Sequence, residues 1–65
     1  MNGNIREQIS YLIQDIKEKI TIKNIDIYTL CQKIYMPIDS FFEVLDNPQN
    51  NASLYLEILE VIEDM

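Results

Sequence analysis

Histidine and tryptophan are absent from this sequence, alanine, glycine and cysteine occur once each, and no lysine or arginine follows Lys33. Each gap excludes something. Without histidine, Cys31 has no partner for a zinc site or a Cys–His nucleophile pair, and alone it cannot form an internal disulfide. The single glycine, Gly3, leaves no glycine-rich loop to cradle a phosphate, and no Gly-x-Ser-x-Gly motif occurs. No catalytic, cofactor-binding or metal-binding set is expected, and the chain reads as a non-enzyme. No apolar run exceeds three residues, where a membrane helix needs about 20. The start, Met1-Asn2-Gly3-Asn4, shows no basic run leading into an apolar stretch, so no secretory signal is expected. A lone unpaired cysteine then fits a reducing, cytoplasmic location.

What is present is a chain of 65 residues with a net charge of −6, of which about a third are Ile, Leu, Val or Phe. That apolar share argues against a disordered acidic tail. The length allows one domain, residues 1–65, near the lower limit for folding on a single core, so self-association would help it. The abundance of isoleucine and asparagine over alanine hints at an AT-rich coding genome, bacterial or phage.

The apolar period predicts four helices, at about 4–20, 26–35, 37–46 and 52–64, with residues 1–3 expected to be disordered. In the first, Ile5, Ile9, Leu12, Ile16 and Ile20, with Ile13 alongside, recur at steps of three and four and define one face. Thr21 to Ile25 alternates and is β-branched, and reads as an extended connection because a lone strand has no partner. Asp26 is an N-cap candidate, followed by Ile27, Leu30, Cys31 and Ile34 on one face. Pro37 forces the second helix to stop and suits the first turn of a third, with Phe41, Val44 and Leu45 inward. Asp46 to Asn51 is a loop by composition, and Asn51 or Ser53 caps the last helix. There Leu54, Ile58, Val61, Ile62 and Met65 are expected on one broad face. The fold class is all-α, a small four-helix domain.

The stretch from Ile27 to Phe41 resembles the core of the lambda-repressor-like (Cro and Xre-type) helix-turn-helix family. Leu30-Cys31 stand where that family has a Leu-Ala pair, Tyr35-Met36-Pro37 where it has Gly-Val-Ser, and Phe41 at its buried aliphatic position. Asn47 to Ile58 resembles the family's following loop and helix, with Ser53-Leu54 matching and its proline replaced. The resemblance spans roughly residues 26–62 and implies a helix-turn-helix domain whose third helix reads DNA. The shorter TetR-family motif also resembles Phe41-Phe42-Glu43-Val44-Leu45, but that family continues into a large ligand domain. Two departures matter. A glycine of the turn is replaced by Tyr35, which implies another turn geometry or real strain of roughly 1–2 kcal/mol. The reading positions of the third helix are Ile38, Asp39, Ser40, Phe42 and Glu43, of which only Ser40 suits a base or phosphate.

The charge divides along the chain. Residues 1–33 hold five basic and four acidic groups; residues 34–65 hold seven acidic groups and no basic one. A solvated acidic helix face is the plain reading of Asp39, Glu43 and Asp46, and Asp39 also suits the helix dipole. The sharper reading is that these carboxylates imitate phosphates toward a protein that binds DNA, with acidic steering of the encounter. Ile38, Asp39, Phe42, Glu43 and Asp46 are therefore the expected partner-binding surface, an apolar stripe with a charged rim, unless another segment covers it. Surplus apolar residues on the last helix make Tyr55, Leu56 and Leu59 a candidate homodimer surface.

The expected function is a helix-turn-helix-fold regulator acting on a DNA-binding or nucleic-acid-processing protein, such as an antirepressor or phage-type inhibitor. The alternative is a dimeric DNA-binding transcriptional regulator that uses Lys23, Lys33 and Ser40. A structural or assembly module built on the last helix is a third reading. None of the three involves a membrane or a cofactor.

Overall fold

The structure, a computed structural model, describes residues 5–65. Within them the chain forms four helices and no strand: α1 (Ile5–Lys23), α2 (Ile27–Lys33), α3 (Ile38–Asp46) and α4 (Ala52–Asp64). The expected disorder of residues 1–3 and a helix start at Asn4 lie outside the described residues. Helix α1 packs most extensively on α4, and α2 bridges α3 and α4. No helix among the described residues is long and apolar enough to cross a membrane.

The core follows the period. Ile9, Ile13 and Ile16 of α1, Leu30 and Cys31 of α2, Phe41 and Leu45 of α3, and Tyr55, Ile58 and Ile62 of α4 are buried together. No polar or charged residue joins them among the described residues. Cys31 is buried in that core as a small apolar residue, and burial pushes its thiol pKa up, away from reactive thiolate.

Two expectations are corrected here. The first concerns Thr21 to Ile25, where α1 continues to Lys23 in place of an extended connection. Its β-branched residues are tolerated because the helix ends in a well-bonded cap. Ile25 N–H donates to Ile20 O at 3.0 Å and Asn24 N–H to Thr21 O at 3.2 Å, the paired bonds of a Schellman motif. Asn24 takes the left-handed position at φ 53°, which asparagine adopts more readily than most residues. The second concerns Tyr55, expected on a dimer surface but fully buried. Residues 55, 58 and 62 share one helix face, and that face is the inward one.

The phenol of Tyr55 is buried at no loss of hydrogen bonding. Its Oη donates to Val44 O at 2.7 Å and accepts from Gln49 N–H at 2.8 Å, pinning the α3–α4 loop. Tyr55→Phe leaves both backbone groups without that partner. A loss of about 1–3 kcal/mol in urea unfolding is expected. A change within the error of the extrapolation would show that water replaces the hydroxyl.

The α2–α3 turn repeats the α1 cap with a costlier residue. Met36 N–H donates to Cys31 O at 3.0 Å and Tyr35 N–H to Gln32 O at 3.3 Å. Tyr35 holds φ 57° in the left-handed region, so the turn keeps the geometry that a glycine would take and carries the strain. The residue is 94% exposed, so no burial offsets that cost. Tyr35→Gly is expected to stabilise the fold by about 1 kcal/mol, a rise of roughly 4–8 °C in Tm. A lower Tm would mean that the ring makes a contact worth more than the strain.

Candidate protein-binding face on α3

Helix α3 begins after Pro37, whose φ of −59° and missing N–H suit a helix start, and buries Phe41 and Leu45. Burying 41 and 45 turns 39, 42 and 46 outward, because adjacent helical residues point about 100° apart. Asp39, Phe42, Glu43 and Asp46 are exposed, and Phe42 is 47% exposed. Phe42 stands three residues after Asp39 and four before Asp46, so the three form one row along the helix. Glu43 lies beside that row and accepts a hydrogen bond from Asn47 Nδ2 at 2.8 Å. Ile38, expected on the same exposed stripe, is half-buried and packs on the core.

The neighbour of Phe42 across the surface is α1. A shallow groove of about 260 Å³ runs between Lys17, Ile20 and Thr21 of α1, Ile27 of α2, and Phe41, Phe42, Leu45 and Asp46 of α3. The rings of Phe41 and Phe42 lie 5.8 Å apart, tilted by 59°, so the exposed ring continues the core to the surface. The sequence pointed to Phe42 but not to this groove. Of its lining, Thr21 lies in the part of α1 that the sequence reads as an extended connection, and Ile27 comes from α2.

The basic groups are placed differently from the expectation for a DNA contact. Lys23 Nζ donates to Ile62 O at 2.8 Å and Glu63 O at 3.4 Å, at the negative end of α4. Lys19 pairs with Asp15 at 2.7 Å and reaches Glu63 at 3.9 Å. The hydrogen bond to Asp15 is the main reason that the Lys19 pKa is raised. Both lysines thus tie the C-terminal end of α1 to that of α4. All three residues expected to touch DNA are exposed, and Lys23 is also engaged by its hydrogen bond to Ile62 O.

On α4 the candidate dimer surface is reduced. With Tyr55 buried and Leu59 half-buried on the core, Leu56 alone of the three stays exposed, at 53%. The same helix exposes Glu57, Glu60, Glu63 and Asp64, so two copies meeting there would bring like charges together. A broader depression of about 570 Å³ lies between Arg6, Ile9 and residues 47–50. Among the described residues no three acidic or sulfur ligands converge as a metal site.

Neither a known protein family, nor a curated protein, nor a solved structure matches the chain.

Proposed function

We propose that this chain is a small cytoplasmic regulator of helix-turn-helix fold that acts by binding another protein. The partner is a DNA-binding or nucleic-acid-processing protein, and the action is that of an antirepressor or phage-type inhibitor. The carboxylates of α3 stand in for DNA phosphates. The observation that carries the reading is the outward row Asp39, Phe42 and Asp46, with Glu43 beside it and no cation anywhere on α3.

Direct recognition of duplex DNA through that row is disfavoured by charge. A carboxylate about 4 Å from a phosphate is repelled by about 1 kcal/mol in water and by more where solvent is excluded. The attraction that normally dominates binding, release of counterions by Lys and Arg, has no source on this helix. The dimeric DNA-binding alternative retains Lys33 and Ser40 but loses Lys23, which is held at the end of α4. The binding role requires no catalytic group.

The test is retention of the nucleic-acid-binding fraction of a bacterial extract on the immobilised chain. A retained protein should elute with duplex DNA as competitor. It should be absent from a column carrying the Asp39→Lys, Glu43→Lys, Asp46→Lys variant. Retention indifferent to both the DNA and the charge reversal would refute phosphate mimicry.

A further inference from the structure

We propose that the groove between α1, α2 and α3 seats one large apolar side chain of a basic helical segment. On that segment, two cations seven residues apart pair with Asp39 and Asp46. This rests on the reading of α3 as a protein-binding face, and it names the chemistry of the partner.

Size selects the kind of occupant. The groove, about 260 Å³, falls below the roughly 300–1,000 Å³ of small-molecule pockets, and it is open at the surface. Its walls are Ile20, Ile27, Phe41, Phe42 and Leu45, so an apolar side chain is what it can bury. A half-exposed phenylalanine at the edge of such a cleft, with charges around it, has the composition of an interface centre and its rim.

Charge and spacing select the rest. Asp39 and Asp46 are seven residues apart on one helix face, about 10 Å along the axis at 1.5 Å per residue. A partner helix carrying Lys or Arg at the same seven-residue interval presents both cations on one face, with room between them for an apolar residue. An extended strand would cover 10 Å in three residues, whose side chains point to opposite sides, so it cannot present the same pattern. The complementary segment is therefore helical, basic and singly anchored. Lys17, on the opposite lip of the groove, disfavours cations on that side and confines them to the α3 side.

The probe is a synthetic amphipathic helix with two arginines seven residues apart and a leucine between them on the same face. Its controls replace the arginines by glutamate or the leucine by serine. Titration calorimetry of the full chain, with amide shift mapping, should show saturable binding of the arginine–leucine peptide, with shifts at Ile20, Ile27 and Phe42. Phe42→Ala should weaken it at least tenfold, and so should Asp39→Asn combined with Asp46→Asn. Lys17→Glu should tighten it several-fold. Thr21→Tyr, which fills the groove from an exposed position and leaves the core alone, should block it even if Phe42→Ala disturbs the helix.

Equal binding of the glutamate peptide, or of the serine peptide, overturns the proposal; so does binding of no peptide. Loss of binding in the Asp variants with none in Phe42→Ala or Thr21→Tyr also overturns it, while leaving the acidic protein-binding reading intact. If the chain ignores all the peptides and binds duplex DNA with sequence preference, the reading on which the groove rests fails as well.

Discussion

Converting Asp39, Glu43 and Asp46 together to lysine is expected to give the chain an affinity for duplex DNA. The three side chains are exposed on the outward side of α3, so the change leaves the core untouched. If α3 is presented as a helix-turn-helix domain presents its third helix, three lysines meet phosphates in place of three carboxylates. Each neutralised phosphate contributes about −0.9 to the slope of log K against log salt, so the variant should show a slope of roughly −2 to −3. The original chain should show no measurable binding over the same range. Anisotropy of a labelled duplex from low to moderate salt reads both. A folded triple variant that stays inert at low salt would show that α3 is not a DNA-facing helix, and phosphate mimicry would lose its geometric basis.

The neighbouring pair Phe41 and Phe42 should differ sharply when each is cut to alanine. Phe41 is fully buried between the helices, and removing such a ring costs about 3–5 kcal/mol through lost transfer energy and the cavity left behind. A core of this size without disulfide or metal rarely supplies more than about 3–5 kcal/mol in all. Phe41→Ala should therefore be largely unfolded at 25 °C by far-UV circular dichroism. Phe42→Ala removes a ring that is half in water already, and its urea midpoint should fall by a small fraction of that. Equal losses at the two positions would mean that α3 is rotated so that both rings are buried alike.

The apolar period made most of this legible. The faces through Ile9, Ile13 and Ile16, through Leu30 and Cys31, and through Phe41 and Leu45 are the faces that pack. The outward placing of Phe42 follows from the inward placing of Phe41, which is a matter of helix geometry alone. The end of α1 was misleading because β-branching at Thr21, Ile22 and Ile25 suggests an extended chain. The overriding signal was Asn24, a residue that tolerates the left-handed cap, followed by Ile25 to close it.

Tyr55 was harder to place from sequence. A tyrosine among Leu54, Leu56 and Leu59 looks like an amphipathic surface residue until its hydroxyl is given Val44 O and Gln49 N–H as partners. Those partners come from a loop whose path no local pattern encodes. Lys23 is a similar case, since its acceptors on α4 are 39 and 40 residues away. Charge division along the chain, by contrast, was visible at once. What the fold adds is that the lysines at the end of α1 are turned toward α4, while the acids of α3 are left in solvent.

The most direct measurement is an anisotropy titration of the unmodified chain against a duplex pool of randomised sequence, at low and at moderate salt. The acidic face on α3 predicts no saturable binding at either ionic strength, with nothing recovered from the pool above background. Sub-micromolar binding that enriches particular sequences would contradict it and return the chain to the DNA-binding regulators.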